Sequence, residues 1–135
     1  MTVQRLLRAA LAAALFLASV LAPAQSKEAP AAPAPEMTTY YVVFLVKGDA
    51  WTPGGSPEHQ KLQERHIGHL KAMHEAGKLV IAGPFLDGQT IRGICVYKTA
   101  SAEEARTLAE GDPAVKSGRL KVEVHPWMVQ KGILP

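Results

Sequence analysis

From Thr39 to Val46 the chain is β-branched or aromatic at almost every position, running Thr-Tyr-Tyr-Val-Val-Phe-Leu-Val. That pattern predicts a strand buried on both faces. Lys47 to Ser56 follows with Gly48, Gly54, Gly55 and Pro53, which predicts a loop. The period then changes. Between Ser56 and Gly77 the apolar positions Leu62, Leu70 and Met73 recur at helical spacing. Ser56 is the cap, Pro57 sits in the first turn and Gly77 is the stop. The same phase places His66 and His69 on the apolar face, with His59 at its upper end. Lys61, Glu64, Lys71 and Glu75 take the opposite side.

Leu79 to Ala82 is a second apolar run, ended by Gly83-Pro84, and Asp87-Gly88 marks a turn. Ile91 to Tyr97 predicts a third strand, hairpin partner of the second. Ser101 and Glu104 form a capping box for a second helix that turns Ala105, Leu108 and Ala109 inward and stops at Gly111. Leu120 to Val124 alternates apolar and polar, a fourth strand. Trp127 follows it, and the chain from Gln130 is expected to be loosely held.

The order β-α-β-β-α-β, with right-handed crossovers, predicts an α+β fold of ferredoxin-like type. A four-stranded antiparallel sheet carries two helices on one face. The other face would be bare, yet the first strand is apolar on both sides. Something should cover it, most simply a second copy in a homodimer.

The ends change the picture. Of the 135 residues, 1–24 read as a secretory signal peptide. Arg5 and Arg8 begin it, Ala9 to Leu21 is an apolar run too short to cross a bilayer comfortably, and Ala22-Pro23-Ala24 offers a cleavage site before Gln25. An uncleaved anchor is the alternative. Residues 25–36 are rich in Ala and Pro and read as a linker. The domain proper is 37–130, with a tail at 131–135. The product would be periplasmic or secreted, with no membrane association after cleavage. Losing Arg5 and Arg8 from the 15 Lys and Arg leaves 13 against 12 Asp and Glu, a net charge of +1. A near-neutral chain carries no nucleic-acid footprint. Cys95 is the lone cysteine, so no internal disulfide forms, and its place in a strand predicts a buried, inert thiol.

His66 is the candidate for chemistry. An inward histidine needs a partner, and Asp112 in Gly111-Asp112-Pro113 offers a carboxylate. Two readings stand side by side. In one, Asp112 fixes the His66 tautomer and the other ring nitrogen takes a proton from a small-molecule substrate. In the other, Asp112 caps a helical turn that starts at Pro113, and His66 is tied to backbone. No nucleophile stands beside the pair, which favours proton transfer over covalent catalysis. His66 and His69 have a spacing that admits a metal ion, but the helix carboxylates point away and no His-x-x-x-His exists, so no metal or cofactor is expected. His74 and His125 are expected to be peripheral. Trp51 and Trp127 read as the mouth of a pocket or as packing residues. Arg92 and Arg119 read as partners for a substrate carboxylate or as surface ion pairs.

The chain resembles the YciI-like (YCII-related) domain family. The resemblance rests on Trp51-Thr52-Pro53-Gly54, His66, Gly77-Lys78-Leu79, Ala82-Gly83-Pro84-Phe85, Arg92-Gly93, Asp112-Pro113-Ala114-Val115-Lys116 with Gly118-Arg119, and His125-Pro126-Trp127. It implies a ferredoxin-like fold that dimerises through its sheets as an α+β barrel. It also implies a His–Asp site in a cleft, here His66 and Asp112. One relative is a dehydrochlorinase acting on a chlorinated hydroxyhydroquinone, and muconolactone isomerases share the wider fold. The implied activity is that of an isomerase or lyase on a small cyclic or aromatic compound, with a non-catalytic ligand-binding or accessory domain as the alternative. Family members often carry arginine three residues before the histidine; Gln63 stands there.

Overall fold

The structure, a computed structural model, describes residues 32–135. The expected signal peptide and residues 25–31 of the linker lie outside them. Seven elements follow in order: β1 (Met37–Lys47), α1 (Pro57–Glu75), β2 (Leu79–Pro84), β3 (Ile91–Tyr97), α2 (Ala102–Glu110), α3 (Pro113–Lys116) and β4 (Leu120–Gln130). The strands form one antiparallel sheet in the order β2-β3-β1-β4. With helices on one side, this is the ferredoxin-like arrangement.

Local chemistry fixes the helix starts. The Ser56 hydroxyl accepts from the His59 amide, with Pro57 opening α1, and the Ser101 hydroxyl accepts from the Glu104 amide. Capping of this kind satisfies amides that have no partner within the helix.

Side chains of β1 alternate between two apolar clusters. Val43 and Leu45 join Leu79, Cys95, Tyr97 and Leu120 beneath the helices, where Ala105, Ala109 and Ala114 let α2 and α3 sit close. Tyr40 and Val42 join Val96 and Val129 on the opposite face, with Phe44, Val80, Ile94 and Leu134 half-buried around them. The expectation of a strand apolar on both sides therefore holds.

Two features depart from the sequence pattern. β4 does not stop at Val124 but runs through His125-Pro126-Trp127 to Gln130, pairing with β1 from Lys47↔Leu120 to Met37↔Gln130. β4 is an edge strand, so Pro126 lacks an amide only where no further strand needs one. The tail is not loose either. The Tyr40 hydroxyl donates to the Pro135 carbonyl at 3.1 Å, and Leu134 packs on the Tyr40 cluster.

Candidate active site

His66 is the buried residue of α1, 8% exposed, and it meets Asp112, 2% exposed, at the joint between α2 and α3. His66 Nδ1 and Asp112 Oδ2 lie 2.6 Å apart. The other carboxylate oxygen, Oδ1, accepts from the Ala114 amide at 2.8 Å, which makes Asp112 the cap of α3 with Pro113 in its first turn. One carboxylate oxygen of Asp112 thus meets His66 while the other caps α3, and His66 is held by that side chain rather than by backbone. Gly111 sits closely against its neighbours at this joint. A Cβ there would stand 3.1 Å from the Leu108 carbonyl oxygen and 3.4 Å from His69 Cε1.

An ionised carboxylate only accepts, so a neutral ring facing one donates from Nδ1 and keeps its Nε2 lone pair free. The ring borders a cavity of about 590 Å³. Leu62, Gln63, Ile67 and Leu70 share its α1 wall, and Leu45, Ala82 and Cys95 contribute from the sheet. Trp51, Arg92 and Arg119 line it as well.

These last three are brought together by backbone. The Gly48 amide donates to the Arg119 carbonyl at 2.8 Å, and the Ala50 amide to the Gly118 carbonyl at 3.0 Å. A Cβ on Gly48 would lie 2.1 Å from the Gly118 oxygen, so only glycine permits this crossing. Arg119 Cζ consequently sits 4.1 Å from the Trp51 ring centroid. Its Nη1 donates to the Thr52 carbonyl at 2.7 Å. Arg92 arrives by a different device. The β1–β3 register shifts after Leu45↔Gly93 to Val46↔Ile91, leaving Arg92 as the extra residue of a β-bulge. Bulges re-aim side chains, and this one sends Arg92 to the helix side, 5.2 Å from the Trp51 centroid. Lys47 Nζ stands 5.4 Å from the same ring. Burial, and then the charge of Arg92, hold the Arg119 guanidinium below its ordinary pKa.

Cys95 shares the cavity but not the chemistry. Burial, then the nearby Asp112 charge, push its thiol up to about 12. Burial, then Cys95 and Asp112, also raise Tyr97. Both stay protonated near neutrality, and a thiol in that state is a poor nucleophile.

The remaining histidines separate. His69 Nε2 bonds the Leu108 carbonyl at 3.0 Å and His74 Nδ1 the Leu79 carbonyl at 2.9 Å. His59 lines the cavity. Among the described residues no three of His, Cys, Asp and Glu group closely enough to share a metal ion. Trp127 is a correction. It pairs with Tyr40 and so lies on the sheet face away from the helices, 43% exposed, and does not border the cavity. The reason is the longer β4, which carries it along the edge rather than over the mouth. His125 lies on that same face against Phe44, with ring centroids 5.6 Å apart.

Sequence reasoning put Lys47 in the loop, whereas it ends β1 and reaches Trp51. Ile67, which that reasoning did not assign to either face of the helix, borders the cavity as well.

Among solved structures, the chain is similar to the 5-chloro-2-hydroxyhydroquinone dehydrochlorinase of Burkholderia phenoliruptrix AC1100, in complex with 2,5-dihydroxybenzoquinone. The two are 19% identical over 65% of this chain and 92% of that one, with a TM-score of 0.49. No curated protein matches the chain. The family model of the YCII-related domain matches residues 39–128, and the chain belongs to that family.

Proposed function

We propose that His66 is a general base whose tautomer Asp112 holds, and that the protein moves a proton on a small cyclic or aromatic compound, as an isomerase or lyase does. The observation that carries this reading is the 2.6 Å contact at Nδ1, which leaves Nε2 as the basic nitrogen of a ring bordering the cavity. Trp51, Arg92 and Arg119 complete the ligand's surroundings. The protein acts after export, and as a homodimer whose second copy covers the open sheet face. Exposed apolar side chains on that face, Ile81 at 56% and Trp127, support the dimer.

The test is solvent-deuterium exchange, read by proton NMR, over a panel of small cyclic compounds in D2O. The wild type is expected to exchange a ring or α-carbon hydrogen and His66→Gln is not. Equal exchange by both proteins overturns the assignment. One observation favours a second reading, a binding domain without turnover: neutral Gln63 lines the cavity. Tight binding of a compound that never exchanges would select it.

A further inference from the structure

The cavity is chemically lopsided. Its α1 wall and sheet floor offer Leu62, Ile67, Leu70 and Leu45 around the His66 ring. Its other side holds Arg119 and Arg92, 4.1 and 5.2 Å from the Trp51 centroid, and Lys47, outside the lining, stands 5.4 Å from the same ring. None of the three pairs with a carboxylate among the described residues. Asp49, two residues from both Lys47 and Trp51, is paired with Lys121, and Glu104 is paired with Lys78.

Each cation is anchored through a carbonyl rather than a counter-charge. Arg119 Nη1 bonds Thr52, Arg92 Nη1 bonds Gln89, and Lys47 Nζ bonds Gly88. Carbonyl anchors fix position without neutralising charge. Arg92 Nε is buried and has no hydrogen-bond partner. A buried donor left unmatched is costly unless something accepts from it. The charge of Arg92 also bears on Arg119, and like charges repel.

Resting on the reading of this cavity as a ligand site, we infer that Arg92 and Arg119 form an anion subsite. The ligand is a ring carboxylate: its charged group lies between the two guanidiniums and its ring extends over the apolar walls toward His66. The guanidinium fork matches a carboxylate in shape, and the apolar lining calls for more than a bare inorganic anion. The subsite would orient the ligand, presenting the ring carbon or hydroxyl to Nε2 rather than the carboxylate.

Calorimetric titration tests this with benzoate, benzamide, phenyl phosphate and inorganic phosphate. Benzoate is expected to bind at least about tenfold tighter than benzamide, its neutral counterpart, as bonds to charged groups imply. Raising salt from about 50 to about 500 mM should weaken benzoate and spare benzamide. Arg92→Gln and Arg119→Gln should each weaken benzoate about tenfold, and Arg119→Lys should recover part of the loss. Benzamide binding as tightly as benzoate, or salt-insensitive benzoate binding, overturns the subsite. Those two arms use the wild type and stand even if a variant fails to fold. Phenyl phosphate or inorganic phosphate outcompeting benzoate overturns the carboxylate. A failed proton-transfer assay with intact, salt-sensitive benzoate binding by the wild type would strike the catalytic reading alone.

Discussion

His66 and Asp112 stand 46 residues apart in the chain and 2.6 Å apart in space, through Nδ1 and Oδ2. The contact joins the middle of α1 to the cap of α3, so it ties together two segments that the sheet alone does not hold in register. Its partner bond, from the Ala114 amide to Oδ1, commits the carboxylate on both sides.

Asp112→Ala removes both bonds. The unmatched buried groups and the lost cap together should destabilise the domain by about 2–4 kcal/mol. Urea denaturation measures it. Asp112→Asn retains an acceptor for the cap and should cost less. Nitrogen-15 shifts of the His66 ring should report a proton fixed on Nδ1 in the wild type and a mixture of tautomers in Asp112→Asn. A mixture already present in the wild type contradicts the orienting role.

His66→Ala leaves Asp112 without its donor inside the core. A loss of about 1–3 kcal/mol is expected, with the fold retained. Circular dichroism and a melting curve check this, and the variant then serves as the inactive control for any ligand screen.

Cys95 should resist alkylation. With its thiol pushed up to about 12, iodoacetamide labelling of the native protein at mildly alkaline pH should be far slower than labelling in urea. Mass spectrometry counts the adducts. The pH dependence has a definite sign. The folded value lies above the ordinary 9.0, so the native state holds the proton more tightly than the unfolded chain. The stabilisation is complete below about 9 and drains away as pH rises towards 12. Cys95→Ala should reduce this alkaline slope and leave the part that buried Tyr97 contributes at higher pH.

Gly48→Ala tests the crossing that positions Trp51 and Arg119. The added methyl would stand 2.1 Å from the Gly118 oxygen, so backbone must move. Overpacking of this kind should cost about 1–3 kcal/mol. Trp51 fluorescence should shift as Arg119 withdraws from the ring. An unshifted spectrum at wild-type stability would show that the two backbones are not held as described.

The proposed dimer has its own check. Sedimentation at micromolar concentration should give twice the chain mass for wild type. Ile81→Lys with Trp127→Lys should give monomers, because both side chains lie on the sheet face opposite the helices.

Much of this was legible in the chain. The period of 3.6 residues in α1 turned His66 inward before any partner was known, and the apolar run of β1 announced two buried faces. Pro126 misled, because proline reads as a strand end unless the strand is known to lie at an edge. Asp112 offered a cap and a partner as alternatives, and no pattern says that one carboxylate serves both. The period of two along β3 places Arg92 beside Ile94 and Val96, facing away from the helices. The structure puts it on the other side, since register shifts arise from pairing with β1 and leave no local mark.

That shift makes the cavity's charge a matter of spacing as well as residue type. With one residue fewer in β3, an unaltered arginine would point into the Val42–Val96 cluster and the ligand site would lose a cation. Two relatives with the same letters around Arg92-Gly93 and hairpins of unequal length could therefore favour different ligands, a divergence that counting matched residues would not reveal.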